Sequence, residues 1–230
     1  MPNTIKMRSR RSKQNTSSWI ADNRWWHDDV FILGGGPSLN DVNFDLIKGK
    51  HVIGVNNAYG DRISDNNGKL IEYKCRDWVD ICFFGDGRWF DWHEVWLRKF
   101  KGQIFSCATR ARHLERIIYV QRGKSLGIEA KTNAIAWNRS SGAAAISLAY
   151  HFGAKRIILL GFDMRMIDGK GNWHTDHKTS RKDASVYRRF KEVFKHIKED
   201  ADKLGVEVLN ATPDSAIIDF KFVKLEDVIC

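Results

Sequence analysis

Val30-Phe31-Ile32-Leu33-Gly34-Gly35-Gly36-Pro37-Ser38-Leu39 decides how this chain is read. A short apolar run with no polar alternation is the pattern of a strand covered on both faces. It feeds into three consecutive glycines, which let the backbone turn sharply and approach a ligand without side chains in the way. Their N–H groups, with the Ser38 hydroxyl, make a cradle for a phosphate at the mouth of the helix expected next. The spacing fits neither the Walker A pattern nor GxGxxG. The reading therefore depends on what stands at the ends of later strands.

Working outward, similar runs recur. His51–Val55 ends at Asn56-Asn57, and Asp80–Phe84 ends at Gly85-Asp86-Gly87. Gln103–Cys107 and Ile117–Val120 follow, then Arg156–Leu160 ending at Gly161-Phe162-Asp163, and Val206–Leu209 ending at Asn210. Longer segments between them read as helices. Residues 142–152 are nearly all apolar, a buried helix stopped by Gly153. Val186, Phe190, Val193, Phe194, Ile197, Ala201 and Leu204 recur at helical spacing over Ala184–Leu204. Trp89, Trp92 and Trp96 form a helical packing stripe, and Trp19–Trp26 reads as a short helix. The alternation predicts a doubly wound, mostly parallel α/β sheet with helices on both faces, Rossmann-like in kind.

The 230 residues suffice for one large domain over 19–230, preceded by a basic tail over 1–18 that reads as a disordered, solvated leader. Lys6, Arg8, Arg10, Arg11 and Lys13 supply half of the formal charge of +10. The excess left in the domain suits nucleotide phosphates, and the tail has a second reading as an anchor for nucleic acid. No apolar run reaches the roughly 18 residues of a membrane span, and no secretory signal is present. The expectation is a cytoplasmic protein, in the host cytoplasm if phage-encoded. Cys75, Cys82, Cys107 and Cys230 show no CxxC pairing and read as reduced thiols.

Ligands of open parallel sheets bind beyond the carboxyl ends of the strands. Those ends carry Gly34, Gly35, Gly36, Pro37 and Ser38, then Asn56 and Asn57, Asp86, and Gly161 to Asp163. Ser140-Ser141-Gly142 opens the buried helix, where a serine side chain is placed to cap it. A second cluster, Asp163 to Asp168 followed by Trp173-His174-Thr175-Asp176-His177, lies in a loop long enough to be functional. Its histidines suit a general base working near neutrality, or a weakly indicated metal pair.

Taken together, these residues resemble the bacterial sialyltransferases of glycosyltransferase family 42 and the related prokaryotic and phage proteins of the DUF115, MptE-like (6-hydroxymethylpterin pyrophosphokinase) group. Such proteins open with a strand and a Gly-x-Gly-Pro-Ser-Leu turn, matched by residues 34–39. Asn56, Ser141-Gly142, Gly161-Phe162-Asp163 and the histidines 174 and 177 follow in the family's order over roughly residues 30–215. Gly35 stands where the sialyltransferases have Asn, and no tyrosine lies between Asp163 and His177.

The resemblance implies a transferase. Gly34, Gly35, Gly36, Pro37, Ser38, Asn56, Asn57, Asp86, Ser141, Gly142, Gly161 and Asp163 would hold a nucleotide donor, a CMP-sugar in the sialyltransferases. His177, with His174 next, would be the base on the hydroxyl of a glycan, a small molecule or DNA, with no metal required. The pterin kinases instead transfer pyrophosphate from ATP with Mg²⁺, for which Asp86 and Asp163 would be the ligands. A phage protein that binds nucleotide or nucleic acid without catalysis is the remaining alternative.

Overall fold

The computed structural model describes residues 19–112, 114–174 and 185–229. In chain order its regular elements are β1 (Asp29–Leu33), β2 (His51–Val55), β3 (Gly60–Ser64), β4 (Leu70–Cys75), β5 (Ile81–Phe84), α1 (Gly87–Leu97), β6 (Gln103–Ser106), β7 (Ile117–Tyr119), β8 (Gln121–Arg122), β9 (Ala134–Ile135), α2 (Ser141–His151), β10 (Arg156–Leu160), α3 (Ser185–Leu204), β11 (Glu207–Asn210) and β12 (Lys221–Phe222).

Eight strands form one sheet in the order β12-β11-β10-β1-β2-β5-β6-β7, parallel at every pairing. β1 is central. The chain leaves it through β2 and β5 towards one edge, then returns across the sheet to place β10 on its other side. The strand order therefore reverses between β1 and β10, the kind of switch point beyond whose strand ends open α/β sheets bind ligands.

Alternate side chains of the same strands feed two cores, as the period of two demands. Val30, Ile32, Ile53, Phe83 and Leu159 point to one face, where they pack with Ala144, Leu148 and Phe152 of the α2 region and Phe194 and Ile197 of α3. Phe31, Leu33, Val52, Phe84 and Leu160 point to the other, with Trp89 and Leu97 of α1. Both faces are covered, which is why the strands are apolar without alternation. The main sheet is doubly wound as the sequence predicts, and its helices end within a residue or two of the expected limits. No helix among the described residues is long and apolar enough to cross a membrane.

Three features depart from expectation. The segment Trp19–Trp26 forms no helix. Asn23 and His27 take positive φ, +48° and +65°, and the Trp25 and His27 amides donate to the carbonyls of Phe152 and Gly153 at the end of α2. Trp25 is buried there and stacks on His51. Secondly, β3 and β4 form an antiparallel hairpin beside the main sheet. Thirdly, no α-helix follows the glycine turn; Pro37–Asp41 is a single 3₁₀ turn.

Among the described residues Cys82, Cys107 and Cys75 form no disulfide; the first two are buried and Cys75 is half-buried. Burial raises all three, Cys107 to about 11 and Cys82 well above its ordinary value. They remain protonated and unreactive near neutral pH. Cys230 lies outside the described residues.

Candidate functional site

The glycine turn and the end of β10 are built into each other. Gly34 N–H donates to Leu160 O at 2.7 Å, and Gly36 N–H donates to Gly161 O at 2.8 Å. Ser38 Oγ donates to Asp163 Oδ2 at 2.8 Å, and the Ser38 amide reaches Oδ1 at 3.4 Å. A Cβ on Gly34 would meet Gly161 O at 2.5 Å, and one on Gly36 would overlap the Asp163 carboxylate. These glycines are required by the approach of β10. Two amides of the expected phosphate cradle are thus already committed, and the absence of a following helix removes the rest of that arrangement. The turn serves to lock β1 onto the end of β10.

Asp163 is only 1% exposed. Burial raises its carboxyl above the usual range, and the two Ser38 contacts pull the other way. Tyr187, from the first turn of α3, donates to Gly171 O at 3.2 Å and is itself raised by burial and then by the nearby Asp163 charge. It brings a phenol to the loop from beyond the window in which the sequence shows no tyrosine, and no motif marks it.

At the end of β2, Asn56 adopts φ +52°, and its Oδ1 is buried without a hydrogen-bond partner among the described residues. An orphaned buried acceptor is costly, on the order of 1–3 kcal/mol, and calls for a donor. Asn57 is 3% exposed and serves a different purpose. Its Oδ1 accepts from Trp89 Nε1 at 2.6 Å, while its Nδ2 donates to Tyr73 Oη and faces His174 Nδ1 at 3.5 Å. The loop carrying His174 is anchored on the glycine turn. Trp173 N–H donates to Gly35 O at 3.1 Å, and Asn40 Nδ2 donates to Trp173 O at 3.4 Å. His174 therefore stands over the ends of β1 and β2. The sequence places Trp89 in a helical packing stripe; it packs there, and its indole N–H also donates to Asn57. Thr175, Asp176 and His177 lie outside the described residues.

α2 opens on the same rim. Ser140 at its N-cap makes no side-chain capping bond, and the first turn holds no acidic residue. The expected serine cap is absent: Ser140 does not bond the helix amides, and Ser141 Oγ instead accepts from Gly85 N–H at 3.1 Å, tying the helix start to the end of β5. Gly142 packs on Phe162. A helix start with bare amides is an anion-binding element.

Asp86 lies farther along the rim, as the N-cap of α1. It accepts from the Arg88 amide at 2.9 Å and pairs with the Arg88 guanidinium at 3.2 Å. Near it an open recess of about 320 Å³ is lined by Thr109, Arg110, Arg122 and Trp137. Arg122 lies 3.9 Å from the Trp137 ring centre and donates to Gly85 O and Cys107 O. A recess of about 470 Å³ lined by Trp26, Lys155 and Leu204 lies at the opposite end of the sheet, away from this chemistry.

Magnesium fits neither carboxylate proposed for it. Asp163 is enclosed and bonded through both oxygens to Ser38, and Asp86 is engaged by Arg88. Among the described residues no three His, Cys, Asp or Glu side chains are grouped to hold an ion.

The fold and its rim define a doubly wound, Rossmann-like α/β protein whose strand order reverses between β1 and β10. No protein-family model matches the chain, and no curated protein matches it in sequence. Among solved structures it is similar to the sialyltransferase CstII from Campylobacter jejuni in complex with the substrate analogue CMP-3FNeuAc. The two are 11% identical, the match covers 85% of this chain and 86% of that one, and the TM-score is 0.48.

Proposed function

We propose that this chain is a nucleotide-dependent transferase, and more closely a glycosyltransferase that takes a nucleotide-sugar donor such as a CMP-sugar. One observation supports this best. The uncapped start of α2 and the orphaned Asn56 Oδ1 belong to the same rim as the β1/β10 switch point. The first suits a phosphate, and the second suits a ribose hydroxyl or a base amino group.

In this reading the donor lies across the floor made by Gly34, Gly35, Gly36, Pro37, Ser38 and Gly161, with Asp163 holding that floor closed. A loop histidine, His177 in preference to His174, takes the proton of an acceptor hydroxyl. The hydroxyl oxygen bonds to the sugar carbon as the bond from that carbon to the nucleotide phosphate breaks, and the phosphate leaves with the electron pair. General-base assistance of this kind contributes roughly 10²–10⁴ in rate.

Thermal-shift measurements against CMP, CDP, UDP, GDP, ADP and ATP, with and without Mg²⁺, test the reading. A ligand at about 100 times its Kd stabilises a protein by about 2.7 kcal/mol. A rise in melting temperature with CMP or CDP, unchanged by chelator, is the expected result. A rise confined to ATP with Mg²⁺ would replace the donor class with the pyrophosphate-transfer alternative. No response from folded protein would overturn nucleotide dependence.

A further inference from the structure

We propose that the recess beyond the ends of β5 and β6 is an oxyanion subsite, in which Arg122 binds a phosphate or carboxylate group carried by the acceptor. Its assignment to the acceptor rests on the transferase reading above; its affinity for an oxyanion does not.

β5 and β6 run parallel and side by side, so their carboxyl ends lie on the same rim as those of β1 and β2. Arg122 spans the two ends. Its Nε donates to Cys107 O at 2.9 Å and its Nη2 to Gly85 O at 2.8 Å, while the guanidinium lies 3.9 Å from the centre of the Trp137 ring. Trp137 is held in turn. Its amide donates to Lys124 O at 3.2 Å, and its ring packs so close on Gly85 that a Cβ there would lie 2.0 Å from it. Three contacts therefore fix the plane and the direction of the guanidinium. Backbone carbonyls take its side edge. The outer edge, Nη1 with the second N–H of Nη2, is left as the fork that pairs with carboxylate or phosphate oxygens through two parallel bonds.

The charge of Arg122 is also uncompensated. Around it, Arg110 pairs with Asp91 at 2.8 Å and Arg88 with Asp86 at 3.2 Å. Arg122 forms no ion pair among the described residues, and its hydrogen-bond partners are neutral carbonyls, which satisfy donors without cancelling charge. Thr109 and Arg110 line the same recess, whose volume of about 320 Å³ is within the range of small-molecule sites. Gly85 joins it to the start of α2: its carbonyl receives Arg122, and its amide donates to Ser141 Oγ at 3.1 Å. A donor phosphate at the start of α2 and an oxyanion on Arg122 would thus flank one residue, the arrangement needed where two substrates meet.

Correlation spectra of the ¹⁵N-labelled full chain read the Arg122 Nε–H and Trp137 indole signals, assigned by their loss in Arg122→Lys and Trp137→Phe. Glucose 6-phosphate and glucuronate are the probes, with glucose as the neutral control. The expected result is saturable movement of both signals with one probe or both, and none with glucose; the tighter probe names the group as phosphate or carboxylate. Arg122→Lys keeps the charge and loses the fork, and should weaken that probe by about tenfold, read from the Thr109 and Arg110 amides. No saturable movement with either probe, equal movement with glucose, or movement confined to the amides of Ser141, Gly142 and Ala143 overturns the subsite. So does equal affinity in Arg122→Lys. An arginine that only ties the strand ends would lower the melting temperature of that variant and leave the wild type indifferent to both probes. If the variant fails to fold, the wild-type titration still decides. A repeat in saturating CMP assigns the oxyanion: movement that persists supports the acceptor, and displacement by CMP overturns that assignment. Because the first titration contains no nucleotide, its failure leaves the transferase reading standing, and CMP that does not bind removes that reading and leaves the oxyanion affinity as measured.

Discussion

The Asp163 carboxylate occupies the space where a side chain on Gly36 would begin, so the two residues exclude anything larger than hydrogen between the ends of β1 and β10. Gly36→Ala must push that carboxylate off Ser38 or separate the strands. Overpacking of this sort costs about 1–3 kcal/mol, and in a chain of this size each kcal/mol lowers the melting temperature by roughly 2–4 °C. Calorimetry should show that drop, with nucleotide stabilisation lost as well. An alanine variant with wild-type melting behaviour would show that the contact is not a constraint.

Asp163 itself makes stability depend on pH in the acid range. Its folded-state carboxyl is raised above the ordinary 3.8, chiefly by burial. The native state then holds a proton that the unfolded chain releases, so stability falls as pH rises from about 3.8 through the folded value. Asp163→Asn removes the charge and should flatten this slope. Urea midpoints of both proteins between pH 3.5 and 7 provide the comparison, and parallel curves would refute the assignment.

His151 gives a slope of the opposite sign. Burial lowers it from the ordinary 6.5, and its Nε2–H donates to Ala134 O at 2.7 Å. The unfolded chain takes up a proton that the native state refuses, so this contribution is present above pH 6.5 and is lost as pH falls towards the folded value. His151→Gln should remove that component from the pH dependence of the melting temperature between pH 7.5 and 5. A slope equal to wild type would mean that His151 is charged in the fold.

Asn56 separates binding from stability. Its φ of +52° is tolerated by glycine without cost, so Asn56→Gly keeps the backbone and removes the orphaned oxygen. The apo protein should melt within a few degrees of wild type. Nucleotide affinity measured by calorimetry should fall by about tenfold, the equivalent of about 1.4 kcal/mol. Unchanged affinity would place the ligand elsewhere.

Much of this architecture was legible in the chain because double-sided burial leaves an unmistakable mark. β1, β2, β5 and β10 are apolar at nearly every position, so their ends, and with them Gly34–Ser38, Asn56, Asn57 and Gly161–Asp163, could be placed from sequence. The β3–β4 hairpin was not. Its strands are partly exposed and carry no continuous apolar run, so the Asn67-Gly68 pair between them, a hairpin signal, has no clear flanking strands to mark it. The site was legible as a list of rim residues and not as an arrangement. Asn57 reads as a turn residue until Trp89 is seen bonded to its amide, and those two positions are 32 residues apart. Tyr187 gives no local sign at all. Each depends on tertiary contact, which periodicity does not encode.

The Ser38–Asp163 bond joins positions separated by 125 residues, and the rim between them is shared by the first strand and the crossover to β10. A chain emerging from the ribosome therefore carries the glycine turn long before it carries that turn's partners at the end of β10. Until the stretch through Trp173 has emerged and docked, the floor has no closing wall and the loop no anchor. On the proposed function, a nucleotide would favour only those molecules in which the late third of the chain has found its place beside the early one.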